Sequence, residues 1–154
     1  MKKRSLIALL LCAVMLLACG CSAKAKTFTA SGMTIELTED FTEKDMLGFT
    51  AVYQSDDVLV FALKEEFEIL GDEMNLDEYA QLVLDANKLD EDIKHEGEHT
   101  YFSFEKTVSG KDMTYTAVVF KGEDAYWMIQ FACLTSDYAK LEDTIFGYAS
   151  SVEV

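Results

Sequence analysis

Proline is absent from this sequence, and glycine occurs only eight times in 154 residues. Turns must therefore be made by a few glycines together with Asn, Asp and Ser. Arginine is almost absent too, since Arg4 is the only one. Bidentate clamps on phosphate or carboxylate ordinarily use arginine, so this lack disfavours anionic ligands. Positive charge is scarce overall: 13 Lys and Arg face 28 Asp and Glu, for a formal net charge of −15. A nucleic-acid surface needs a cationic footprint, and none is visible. Histidine occurs twice, as His95 and His99, and cysteine four times, as Cys12, Cys19, Cys21 and Cys133. That set does not make an even disulfide framework within a domain. Cys133 ends an apolar run and is expected to be a small buried hydrophobe.

What is present begins with a compact cationic start, Met1-Lys2-Lys3-Arg4. Leu6 to Ala18 follow without a charge. The run has the length of a signal-peptide core and falls short of the ~20 residues of a spanning helix. Leu16-Leu17-Ala18-Cys19-Gly20-Cys21 closes it. A branched apolar residue at −3 and a small residue at −1 before Cys resemble the bacterial lipobox. That resemblance implies cleavage before the cysteine and a diacylglyceryl thioether on it. Cys19, with Leu16 at −3 and Ala18 at −1, fits better than Cys21, which remains the alternative. The expected division is a signal peptide at 1–18, a lipidated cysteine and tether at 19–26, and one domain at 27–154. Two acyl chains give a stable anchor where one gives a marginal hold. The expected location is the extracytoplasmic face of a cell membrane, lipid-anchored. Beyond residue 18, ten lysines remain against all 28 acids, a formal charge of −18. Such a domain is repelled by anionic lipid, which leaves the covalent anchor as the source of membrane attachment.

The rest alternates strand signals with two helical segments. Thr27 to Ala30 reads as a strand, Ser31-Gly32 as a turn, and Met33, Ile35 and Leu37 alternate with polar residues as in a half-buried strand. Phe41 to Met46 is polar and reads as a short helical turn. Phe49 to Gln54 is a strand, and Ser55-Asp56-Asp57 turns into Val58–Leu63, which is apolar on both faces and so central in a sheet. Asn75 and Glu78 form a capping-box pattern ahead of a helix ending near Asn87 or Lys88, with Leu76, Tyr79, Ala80, Leu82, Val83 and Ala86 on its apolar stripe. Leu89 to Glu98 is acidic and loop-like, with a short strand around Ile93. Three strands follow as a meander: Tyr101–Val108, Met113–Phe120 and Ala125–Leu134. A helix starting after Thr135 or Ser136 closes the chain.

Strands covered on both faces and two amphipathic helices predict an α+β fold, an antiparallel sheet with helices packed on it. The order of elements resembles the PsbP-like domain, also seen in DcrB-type bacterial lipoproteins. The matching features are MTIEL leading to Asp40-Phe41, the meander, and YWMIQFACLTSDYAKLEDTIFGYASSV at the end. The resemblance spans residues 27–154 and implies an α/β/α sandwich serving as a non-catalytic binding or accessory module. One departure is that Thr38-Glu39 stand where the family often has a proline.

Two stretches look like chemistry. His95-Glu96-Gly97-Glu98-His99 has the letters of a zinc-peptidase motif, which would make the protein a zinc-dependent hydrolase. That chemistry needs both histidines on one helical face. Gly97 opposes helix, a strand begins two residues later, and an extended chain would hold His95 and His99 about 13 Å apart. A third ligand would have to be a carboxylate. The sequence thus predicts no catalytic residue, no cofactor and no metal site, with His95 and His99 as the weak metal candidates. The strand aromatics Tyr101, Phe102, Phe104, Tyr115, Phe120, Tyr126, Trp127 and Phe131 are mostly expected in the core, a subset being free to line a concave face. A small apolar ligand between sheet and helix, and an envelope protein partner, are the kinds of partner left open. The lipobox reading is checked by mass spectrometry of the acylated N-terminal peptide. Lipid is expected on Cys19, and Cys19 recovered unmodified inside a longer peptide would overturn the assignment.

Overall fold

The computed structural model describes residues 24–154. The expected signal peptide, Cys19 and Cys21 lie outside the described residues. Strands β1 (Ala25–Ala30) and β2 (Met33–Thr38) pair as an antiparallel hairpin. Ser31 and Gly32, both at positive φ, make the two-residue turn whose twist suits such a hairpin. Seven further strands form the main sheet: β3 (Thr42–Lys44), β4 (Ala51–Gln54), β5 (Leu59–Glu66), β6 (Lys94–Glu96), β7 (His99–Val108), β8 (Lys111–Lys121) and β9 (Ala125–Leu134). Their order across the sheet is β3-β4-β5-β9-β8-β7-β6, and every pairing is antiparallel. Helix α1 (Phe67–Leu70) is one turn after β5, α2 (Leu76–Asn87) precedes β6, and α3 (Thr135–Ser150) follows β9 directly.

The alternation along each strand explains the layers. Val60 and Ala62 of β5, Val118 of β8, and Trp127, Ile129, Phe131 and Cys133 of β9 point to one face. There they meet Ile145 and Ala149 of α3 and Phe28, Met33, Ile35 and Leu37 of the β1–β2 hairpin. The other face carries Phe102, Ala117, Val119, Tyr126 and Met128, against Tyr79, Ala80, Val83 and Leu84 of α2. The α+β layering is thus the one expected, an antiparallel sheet between helical layers.

The capping box forms as read. The Asn75 side chain accepts from the Glu78 N–H at 3.0 Å, and Glu78 Oε2 accepts from the Asn75 N–H at 2.9 Å. Lys88 ends α2 in the left-handed region. Other local expectations change. Phe41 to Met46 holds strand β3 and no helical turn, because Thr42 and Lys44 find partners in Gln54 and Val52. The strand near Ile93 lies at Lys94–Glu96. Helix α1 was not expected at all. The run Val58–Leu63 is flanked on both faces, but one of those faces is covered only in part. No described helix is long and apolar enough to cross a membrane.

One buried group lacks a partner. Tyr53 is 1% exposed, its ring centroid is 4.7 Å from that of Phe28, and its hydroxyl has no hydrogen-bond partner among the described residues. Burial, and then the Glu43 carboxylate, push the phenol pKa up. A buried unpaired hydroxyl costs about 1–3 kcal/mol. Tyr53→Phe is therefore expected to hold or raise stability by about 1 kcal/mol in urea unfolding. A loss of that size would show that the hydroxyl is partnered.

Candidate functional site

The partly covered face is a consequence of widths. Seven strands at ~4.8 Å spacing are about 29 Å across, whereas one helix covers ~10 Å. On the first face, α3 and the β1–β2 hairpin share the cover. On the second, α2 covers β7, β8 and the lower part of β9, with Phe67 and Leu70 of the short α1 beside it. The remainder is a separate apolar cluster. Val52, Phe61 and Ala132 form its floor, with Phe49, Leu59, Met113 and Tyr115 packed around them.

This open half is a trough made of two concavities. One, of about 380 Å³, runs beneath Leu82, Val83 and Ala86 of α2 and over Phe104, Met128 and Gln130. The other, of about 310 Å³, extends to the Ser55–Asp57 turn and Leu134. They share Val108 and Tyr115, so the surface is continuous. Pair register places the floor residues side by side: Leu59 opposite Ala132, Ala132 opposite Tyr115, and Tyr115 opposite Phe104. The Phe104 and Tyr115 rings stack at 4.9 Å with 5° between their planes. Phe49 closes the far wall against Phe61 at 5.0 Å. The polar groups are the Gln130 amide on the floor, Glu65 and Asn87, Lys106 and Lys111 on the β7–β8 arm, and Gln54 with the Ser55–Asp57 turn at the upper end. A concavity of this kind, apolar with a few placed polar groups and within ~300–1,000 Å³, suits small apolar ligands.

Exposed large hydrophobic side chains gather around the trough. Leu82, Val108 and Leu134 line it, while Met46 and the fully exposed Leu47 precede its wall residues Gly48 and Phe49. Ile69 of α1 lies apart. A larger concavity of about 500 Å³ sits between α3 and β7, but its walls carry Glu91, Glu105 and Glu142 beside Lys94.

The histidine motif is a hairpin turn. Glu96 pairs with His99 across Gly97-Glu98, and Gly97 has φ +59°. The chain therefore folds back within the motif. His95 reaches Asp77 of α2, with Nε2 to Oδ1 at 2.8 Å. His99 reaches Ser150 of α3, with Nε2 to Oγ at 2.9 Å. The two helices lie on opposite faces of the sheet, so the two imidazoles cannot share an ion. Nor is the Ser150–His99 pair set up as nucleophile and base. The Ser150 hydroxyl donates to the Phe146 carbonyl at 2.8 Å, so it accepts from the imidazole N–H. Among the described residues, no group of three or more His, Cys, Asp or Glu is arranged to hold a metal.

The sequence leaves open a ligand between sheet and helix without locating the trough, and three of its aromatics, Phe102, Phe104 and Tyr115, are among those free to line a concave face. The α2 stripe contains Leu82 and Ala86, and nothing in a periodic pattern tells which stripe residues overhang an uncovered sheet. Tyr101, Phe102, Phe120, Tyr126, Trp127 and Phe131 are buried or half-buried. Cys133 is buried, as expected, and a free thiol among the described residues; burial pushes its pKa up, with Asp137 adding to the effect.

The layers and their order define the α+β fold of PsbP-like proteins. No protein-family model matches the sequence, and no curated protein does. Solved structures do. The cyanobacterial PsbP protein CyanoP from Synechocystis sp. PCC 6803 superposes with a TM-score of 0.55 at 12% identity, over 89% of this chain and 97% of that one. The Saccharomyces cerevisiae Ran-binding protein Mog1p gives 0.56 at 13%, over 86% and 96%. A protein from Bacteroides thetaiotaomicron VPI-5482 gives 0.56 at 11%, and there 86% of this chain matches 48% of the other, about half its length. At such identities the likeness is one of fold.

A buried tyrosine holds the trough's lower wall. Tyr79 donates to Glu65 Oε2 at 2.6 Å and stacks on Tyr126 at 4.8 Å, and Tyr126 donates to the Met74 carbonyl at 2.9 Å. Burial, then the hydrogen bond to Glu65 and its charge, raise the Tyr79 phenol pKa far above its ordinary value. Unfolded tyrosine begins to ionise near pH ~10 while the native phenol keeps its proton. The stability from this group is thus present below pH ~10 and lost as pH rises beyond it. Tyr79→Phe is expected to cost about 1.5–3 kcal/mol at neutral pH, as a bond to a charged group, and to flatten the alkaline decline. Denaturant unfolding on both sides of pH ~10 checks both. A variant as stable as the parent at neutral pH would remove Tyr79 from this role.

Proposed function

We propose that this chain is a membrane-anchored, extracytoplasmic lipoprotein whose folded part is a non-catalytic binding module, and that the trough beside α2 is its binding site. The observation that carries the reading is the placement of exposed apolar side chains. Leu82, Val108 and Leu134 line the trough, and Leu47 stands next to its wall residue Gly48. A soluble, strongly acidic domain has no structural need to leave a continuous apolar surface in water, and such surfaces mark binding sites. The anchor rests on the lipobox pattern around Cys19, with Cys21 as alternative. The fold supports a binding role through its neighbours, since Mog1p is a Ran-binding protein. The rival reading, a zinc hydrolase using His95, Glu96 and His99, is not favoured by the hairpin geometry.

The neutral dye Nile red tests the site. Its fluorescence is expected to rise on binding the domain. Ala86→Trp fills the trough from the exposed side of α2, and Leu82→Lys charges its rim. Each should weaken binding by about tenfold, or ~1.4 kcal/mol. Ile69→Asp, away from the trough, should leave it unchanged. Far-ultraviolet circular dichroism confirms that each variant folds. Binding insensitive to both trough variants would overturn the site.

A further inference from the structure

The position of the anchor relative to the trough narrows the ligand. The described chain begins at Lys24, whose carbonyl accepts from the Glu39 N–H at 2.9 Å. Beside it the Phe41 N–H donates to the Thr38 carbonyl, and Thr42 pairs with Gln54. Gln54 and the Ser55–Asp57 turn after it line the trough's upper concavity, together with Leu134 and the base of the β7–β8 hairpin tip. The chain therefore enters the domain at the end of the sheet where the trough opens. From Cys19 to Lys24 are five residue steps, which reach at most ~18 Å, and from Cys21 the reach is shorter still. A cysteine held by its lipid at a bilayer keeps that end of the domain close to the bilayer surface.

We propose that the trough receives an acyl chain of a lipid taken from the membrane in which the protein is anchored. This rests on the anchor and trough readings above. The mouth offers Val108 and Leu134 at the membrane end, and the floor continues inward over Ala132, Tyr115 and Phe104 towards the cover of α2. That is a one-sided apolar path from a bilayer to a sheltered slot. The polar head stays outside, between Lys111 on one wall and Asp56 and Asp57 on the other. An extended peptide has the stretch of β7 beyond Tyr101 to pair with, where β6 stops, but the nearness of the anchor favours lipid over it. A second copy brings another domain of formal charge −18, whose overall repulsion opposes it.

The test uses the acylated protein in phosphatidylcholine vesicles that carry a small fraction of phosphatidylcholine with a diazirine in its acyl chain. After irradiation, peptide mass spectrometry is expected to find lipid adducts on Phe104, Val108 or Tyr115. Ala86→Trp and Leu82→Lys should lower that yield about tenfold, and Ile69→Asp should not. Adducts confined to residues outside the trough would overturn the proposal. So would a tether lengthened by a flexible insert after Ser22 that leaves the yield unchanged, since proximity would then play no part. Should Nile red bind at the trough while no lipid adduct forms there, the site stands and its membrane source falls. Should neither occur, both fall. A dimer in solution that Ala86→Trp dissociates would assign the trough to a second copy and also overturn the lipid proposal.

Discussion

The pairing of β5, β9 and β8 is the constraint on which everything else in this molecule depends. Ala125–Leu134 is apolar on both faces, and its neighbours place Val60 and Ala62 on one side and Leu63, Ala117 and Val119 on the other. A strand of that kind cannot face water on either side, so two covers are obligatory. The first is generous. Helix α3 follows β9 without a loop and is tied to β8 through Thr114 to Thr135 at 3.0 Å, while the β1–β2 hairpin completes the layer. The second cover is one 12-residue helix with the single turn of α1 beside it. The difference between the two covers is the trough.

Charge and apolar surface divide the work in the chain. With 28 acids against ten lysines beyond residue 18, the domain resists self-association and anionic surfaces. This is why it can expose Leu47 and Leu134 without those residues defining its solubility. The same charge makes a covalent anchor the natural means of staying near a membrane. In the proposed reading, anchor and trough complement each other: one supplies proximity that electrostatics would deny, the other an apolar surface that such proximity would feed.

Much of this fold is legible in the residues, and what escapes does so for definable reasons. Met33, Ile35 and Leu37 alternate, and all three are buried. Asn75 and Glu78 announce α2, and Ser109-Gly110 announces a hairpin, because each encodes a local geometry. Strand β3 escapes, and β6 is placed only roughly, around Ile93, because every residue in both is exposed. They carry no burial period and exist only through their partners. Helix α1 escapes because one turn is too short for a pattern. The site is the least legible part. Leu82 and Ala86 belong to the same helical stripe as Val83 and Tyr79, and only the width of the sheet beneath decides which of them overhang empty floor.

The histidine motif shows the converse, a sequence signal undone by one residue. A zinc-peptidase motif needs this segment to be helical, with two imidazoles on one face. Gly97 instead takes φ +59° at the first position of a two-residue turn, as a hairpin requires. The turn reverses the chain, and the pleat sends His95 to α2 and His99 to α3. Each is an exposed contact between the edge of the sheet and a helix. What holds α2 at that end is its buried stripe of Tyr79, Ala80, Val83 and Leu84 on Phe102, Ala117 and Val119, so the uncovered floor falls beside β4 and β5.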